Sequence, residues 1–475
     1  MNRNNIWIHI TLAVVMITLA AVIGQIDRWR AALSHRPVHP ATTARRAPVL
    51  SVRDQELADA EVIVRFKPGV SLSEMRTIAA TKNDRVVDED ESVPGLAFID
   101  DLDNADPAAD AADYAAMSDV VLYAEPNQII QLDDPAAGAR SFDVDQNEYD
   151  ANLPNDPQFG DQWSLNNQGQ NGGKEHADID ALKAWTKTRG SADVVVAVLD
   201  SGVDYKHIDL RANMWTRPDS VPQYQDDELG SFDDFHGFDI GDRIGDPMDD
   251  NGHGTHCAGI IGAEADNSEG IAGINWKVKI MPLKFLGRGG YGTTKAAIEA
   301  INYAIDRKKN GVNIRVMNAS WGSTSGSKAL EDAIRAAGDA GILFVAAAGN
   351  NSTDNDKRPH YPSNYDLPNV VSVAALDRND AITSFSNFGA KTVHIAAPGK
   401  DIPSTWLNDQ YREASGTSMA APHVSGVAAL IVAEYPNISV AKLREKLLRS
   451  VDKLDSLSGK VSSGGRLNAA KAVSQ

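Results

Sequence analysis

Cysteine is almost missing from this chain. Cys257 is the only one in 475 residues, so no intrachain disulfide can form and cysteine pairing says nothing about compartment. Positive charge is also short: 46 Lys and Arg stand against 65 Asp and Glu, a formal net charge of −19 with a pI near 5.0. A field of that sign repels phosphate backbones, so no nucleic-acid partner is expected. Hydrophobic residues at 42% and charged residues at 23% leave no compositional case for a disordered or fibrous chain. No fixed-period repeat is present, which excludes a solenoid. The zincin pattern, two His at i and i+4 with Glu after the first, is absent too; His253 and His256 have the wrong spacing for it.

What is present starts with an apolar run from Ile6 to Gly24 that carries no formal charge. At about 1.5 Å per residue it nearly matches a hydrocarbon core of roughly 30 Å. A cleavable signal peptide and a retained signal-anchor over residues 1–30 both fit. Either predicts export, with the remaining chain secreted, periplasmic or anchored outside the cytoplasm. Residues 31–58, rich in Ala, Pro, Thr and Arg, read as a tether. Residues 59–132 read as a small α+β unit. EVIVRFKPG is a strand with a Pro-Gly turn, Ser71 and Glu74 have capping-box spacing, and an Ala-rich helix precedes VLYAEPNQIIQL, giving a ferredoxin-like β-α-β-β-α-β order. Residues 133–154 are acidic and aperiodic, an exposed linker of the kind proteases cut.

From residue 155 to 475 apolar strands alternate with helices, which predicts an α/β class with a doubly wound, mostly parallel sheet. The candidate strands are VVVAVLDSG, VKIMPLKFL, IRVMNASWG, ILFVAAAGN, VVSVAALD and VHIAAPG. Asp200, Ser320 and Asn350 sit at their C-terminal ends, where open α/β sheets place their sites. Each chemical signal is ambiguous alone. Asp200 could be a catalytic acid, a calcium ligand or a turn cap. His253 opens the small-residue helix of DDNGHGTHCAGIIG. Ser418, at the start of the helix in SGTSMAAPHVSGVAALI, lies beside free backbone N–H donors, as suits a nucleophile whose product is an oxyanion, or an ordinary N-cap. Asn350 ends ILFVAAAGN and is either a turn residue or an oxyanion donor.

The specific signal is the order Asp, His, Asn, Ser at the ends of successive βα units. VLDSGVD, HGTHCAG, AAAGN and GTSMAAPH resemble the four signature segments of the subtilase family, and Asp…His…Ser is the chain order known for subtilisin. The resemblance spans residues 155–474. It implies a subtilisin-like fold and a serine endopeptidase working through an acyl-enzyme. Ser418 attacks, His253 relays the proton, Asp200 holds the imidazole, and Asn350 with the Ser418 N–H binds the oxyanion. His256 is implied to be structural. Cys257 is implied to lie near the triad and to confer mercurial sensitivity, as in proteinase K-like members. The alternative is a catalytically silent binding module on the same fold.

The resemblance also implies peptide or protein substrates that add as a strand to Ser320, Trp321 and Gly322 on one side and to residues 287–292, with Gly289 and Gly290, on the other. The P1 pocket would be walled by Ala347, Ala348 and Gly349 and by the segment through His360, Tyr361 and Pro362. Asp354 and Asp356, in an insert there, could face a basic P1 side chain, a cation or water. Structural calcium is implied on Asp209 and Asn267 with Asp156 or Gln158; no organic cofactor is. The acidic stretch 226–239 resembles a degraded calcium loop. Residues 61–132 resemble a subtilase propeptide, chaperone and inhibitor of its own enzyme, cut between Gln131 and Asn155 in a self-processing zymogen. A monomer is expected.

Overall fold

Two sequence patterns give two kinds of sheet in the computed structural model, which describes residues 61–103, 106–132, 153–226 and 230–474. The run from Ile6 to Gly24, the tether and most of the linker lie outside the described residues, and no described helix is long and apolar enough to cross a membrane.

In the N-terminal part, short alternating segments pair antiparallel. The strand order is Asp84–Glu89, Leu96–Asp101, Val62–Phe66, Val121–Pro126. Helices Leu72–Thr81 and Pro107–Ala115 complete the β-α-β-β-α-β order. The first starts at the expected capping box, with Ser71 and Glu74 bonding reciprocally. One face carries Val62, Val64, Phe66, Met75 and Tyr114 as a core of its own.

The longer, largely apolar segments form the middle of a nine-stranded sheet, ordered Asp452–Lys453, Gly465–Arg466, Ile395–Pro398, Val370–Leu376, Leu343–Ala347, Ile314–Ala319, Gly190–Asp200, Lys277–Lys284, Phe238–Asp239. All pairings are parallel except that between the first two. Because side chains alternate, one strand feeds two cores. Val194, Val196 and Val198 join the core that holds helices His253–Gly262 and Thr417–Glu434. Val195, Ala197 and Leu199 join the opposite core with helices Thr294–Lys309 and Lys328–Asp339. Burial on both faces is why these strands read as unbroken apolar runs.

All six expected strands lie in this sheet, with one refinement. IRVMNASWG breaks at Ser320: Ile314–Ala319 stays central, while Trp321–Gly322 leaves and pairs with Ile129–Leu132, whose other edge pairs with Tyr291–Thr293. The tail of the N-terminal unit is thus the middle strand of a three-stranded antiparallel sheet.

Candidate active site

Asp200 is the last residue of its strand and fully buried. Its Oδ1 accepts the Ser201 N–H at 2.8 Å. His253 faces it as the first residue of its helix, with Nδ1 at 2.8 and 3.0 Å from the two carboxylate oxygens. A carboxylate accepts, so Nδ1 carries the proton and Nε2 is left as the base. The helix enters through Gly252 at φ +106°, where an added Cβ would lie 2.4 Å from the Trp406 ring; both facts demand glycine.

The orphan N–H groups of that first turn are taken by Asp249, an unforeseen member of the site. Its Oδ1 accepts from Ser201 Oγ, Asn251 N and Gly252 N, each at 2.9 Å, and its Oδ2 from Thr255 N at 3.0 Å and Thr255 Oγ1 at 2.6 Å. Burial nevertheless pushes its pKa up. Ser201 Oγ in turn accepts the Gly254 N–H at 3.0 Å, so Asp249 and Ser201 together lock the His253 helix to the Asp200 strand.

Ser418 is the second residue of the long buried helix. Pro422, four residues on, has no N–H to give back to the Ser418 carbonyl. Ser320 Oγ donates to that carbonyl at 2.8 Å and Cys257 Sγ at 3.5 Å. The Ser418 hydroxyl donates to the Ser320 carbonyl at 3.1 Å. Asn350 is fixed by its oxygen, which accepts Thr417 N at 2.8 Å and Thr417 Oγ1 at 3.0 Å. Its Nδ2 therefore turns the other way, toward Gly416. A Cβ on Gly416 would lie 3.2 Å from Asn350 Nδ2 and 3.5 Å from Ser418 N. Two donors converge on one small space next to a hydroxyl, the requirement of an oxyanion hole.

The cleft runs along the three-stranded sheet. Gln131 lies opposite Tyr291 on one side and Gly322 on the other, Leu132 lies opposite Trp321, and Leu132 N donates to Gly290 O at 2.9 Å. Trp321 contributes backbone only; its indole is buried and donates to Leu199 O at 2.8 Å. Gly289, Gly290, Trp406 and His253 line one pocket with Gln131 and Leu132.

The subtilase family profile matches residues 191–465. The chain is 33% identical to the thermophilic serine proteinase of Bacillus sp. (strain AK1) over 413 residues, 87% of each chain and well beyond the profile match. It is 36% identical to thermitase of Thermoactinomyces vulgaris over 320 residues, 67% of this chain and 99% of that one. It is 38% identical to subtilisin-like protease 2 of Plasmodium falciparum over 275 residues, but spans only 19% of that protein's length. The chain belongs to the subtilase family.

As a subtilase it is a subtilisin-like serine endopeptidase with an α/β fold. Two neighbours of the dyad complete the picture. His256 Nε2 lies 3.1 Å from Ile402 O and 3.0 Å from Arg412 O, a structural role as expected. The Cys257 thiol is within 4.8 Å of an Asp200 oxygen and a His253 nitrogen, and burial pushes its pKa well up, so it is a neutral thiol against these two side chains.

The expected cation residues also converge. Asp156, Gln158 and Asp209 are buried; Asp209 accepts Asn267 Nδ2 at 2.8 Å and Ile271 N at 3.0 Å, and Asp156 accepts Asp266 N at 2.8 Å. Asp156 Oδ1 and Gln158 Oε1 are buried without a hydrogen-bond donor. Burial raises both carboxyls to about 7. Two buried carboxyls and an amide oxygen, with Asp156 Oδ1 and Gln158 Oε1 lacking a donor, fit a hard divalent cation. Asn267 presents its nitrogen to Asp209 and uses its oxygen on Glu269 N, so its amide is turned away from the ligand role.

In the acidic stretch 226–239 the structure assigns Asp234 elsewhere. It is fully buried, pairs with Arg217 Nε at 2.8 Å and Arg307 Nη1 at 3.1 Å, and accepts the Tyr303 hydroxyl. Asp354 pairs with Lys357 at 2.7 Å, and Asp356 accepts Lys391 N, Thr392 N and Thr392 Oγ1. Asp354 thus holds the insert to itself, and Asp356 ties it to the segment at Lys391 and Thr392.

Proposed function

We propose that this serine endopeptidase is made as a self-processing zymogen whose N-terminal unit, residues 59–132, is its propeptide, with Asp200, His253 and Ser418 as the triad and Asn350 as oxyanion donor. The observation that carries the reading is the strand Ile129–Leu132, held between Tyr291–Thr293 and Trp321–Gly322 on a path that leads to Ser418. In the reaction the Ser418 hydroxyl leaves Ser320 O and gives its proton to His253 Nε2 while Oγ bonds to the substrate carbonyl. Asn350 Nδ2 and Ser418 N take up the oxyanion charge. His253 then protonates the leaving amine, and water hydrolyses the acyl-enzyme by the same relay. Peptide substrates bind along the cleft by strand addition. Export, a monomeric mature form and residues 133–154 as the processing segment belong to the same reading.

Docking of the propeptide is supported by caps given across the interface. Glu125 accepts from Ser327 Oγ, Lys328 N and Ala329 N at the start of one helix, and Asn127 Oδ1 accepts Lys295 N at the start of the other. The opposite sign of interaction occurs nearby. Asp90, buried against Asn302, has its pKa raised from 3.8 to about 6 by burial, and Glu299 is raised by burial and by Asp88 facing it. The docked state therefore holds protons that the separated parts release, so docking is favoured at low pH and weakens as pH rises through about 6. We expect the cleaved propeptide to leave the enzyme faster at pH 8 than at pH 5, read as the lag before activity appears; equal lags would remove the carboxyl contribution.

Asp156, Gln158 and Asp209 are proposed as ligands of structural calcium, whose charge would replace the protons their burial now favours. With calcium near 100 times its Kd, chelation by EGTA should lower the melting temperature by about 4 °C. Asp209→Asn should remove most of the response to EGTA.

A further inference from the structure

Gln131 lies opposite Gly322 and Leu132 opposite Trp321. The next residue of any peptide on this path falls opposite Ser320, whose carbonyl accepts the Ser418 hydroxyl at 3.1 Å. That residue is the one Ser418 attacks. Its side chain must enter the space between two segments that leave the central sheet side by side, Ser320 to Gly322 and Ala348 to Asn350, after Ala319 and Ala346 have paired. Each wall offers a glycine there, which by itself would leave an open slot.

His360 lies against both glycines, with Asn387 Nδ2 also beside Gly349, 2.5 Å from where its Cβ would be. A Cβ on Gly322 would lie 2.1 Å from His360 Cε1 and 2.6 Å from its Nε2; one on Gly349 would lie 2.8 Å from its Cδ2. The imidazole therefore reaches from one wall to the other, edge against each glycine, and only 3% of the residue is exposed. It is also anchored. Tyr361 and Ser323 exchange two backbone hydrogen bonds at 2.8 Å, Ser363 Oγ donates to His360 O at 2.7 Å, and His360 N donates to Asn364 Oδ1 at 3.2 Å. These contacts fix the backbone of His360; its ring has Ser363 Oγ 3.5 Å from Nδ1 and a glycine against each edge, and a packed site resists added volume.

We propose that His360 is the floor of the P1 pocket and restricts this enzyme to substrates with a small P1 side chain, such as Gly, Ala or Ser. The inference rests on the endopeptidase reading above. Peptide nitroanilides identical except for Ala or Phe at P1 test it. Hydrophobic pockets discriminate by about 10–200-fold for one methylene, so kcat/KM for Ala should exceed that for Phe by about 100-fold or more in the parent. His360→Gly should raise the Phe-to-Ala ratio by about 100-fold. Should that variant not fold, the parent's affinity for peptide aldehydes ending in Ala or Phe gives the same comparison. A parent that takes Phe as readily as Ala, or a ratio unmoved in folded His360→Gly, overturns the inference. A fluorophosphonate, which brings no P1 side chain, separates the two levels: labelling of Ser418 without P1 discrimination refutes only the floor, and no labelling refutes the endopeptidase reading and the floor with it.

Discussion

Ser418→Ala is expected to stop maturation and hydrolysis together. Loss of the hydroxyl removes the attacking atom but leaves the fold intact, since the contacts from Ser320 Oγ and Cys257 Sγ are made to the backbone carbonyl of residue 418. Removing the nucleophile of subtilisin itself costs about 10⁶-fold in kcat, and a loss of that order is the expectation here. The check is mass against time for the chain from Asp54 onward. The parent should shorten to a product beginning between Leu132 and Asn155, while the variant stays full length. A folded, calcium-loaded parent that also stays intact would return the silent binding module to favour.

Gly416→Ala should be almost as damaging by a different route. Its added methyl carbon would stand 3.2 Å from Asn350 Nδ2 and 3.5 Å from Ser418 N, in the space where the oxyanion has to form. Both donors would lose access at once. Removing a single such donor typically costs about 10²–10³ in kcat, so a loss at least that large is expected, with KM little changed because the cleft strands are untouched. Gly416 has extended backbone, φ 166° and ψ 163°, which alanine adopts without strain, so the melting temperature should hold. A variant with near-parental kcat would show that the charge develops elsewhere.

Much of this site was legible because its parts are local. Six apolar runs with polar ends told of buried parallel strands, and Asp200, His253, Asn350 and Ser418 sit inside short segments whose spacing is itself the signal. Ser71 and Glu74 likewise announced a capping box that is present. Asp249 stood in the same segment as His253, and an Asp just ahead of a helix start is a turn or cap signal that could have marked it. Ser201 gave no signal, because its hydroxyl serves Asp249 and Gly254, 48 and 53 residues away.

The sequence by itself therefore determined the class of fold and the family chemistry, because periodicity and short motifs encode burial and backbone geometry residue by residue. Tertiary structure alone decided which polar groups meet. It set Asp234 between two arginines instead of around a cation, tied Asp356 to Lys391 and Thr392, turned the Asn267 amide nitrogen toward Asp209, and drove His360 between Gly322 and Gly349. Those outcomes depend on contacts between segments far apart in the chain, where directional hydrogen bonds and packing volume select one partner among many that the sequence leaves equivalent.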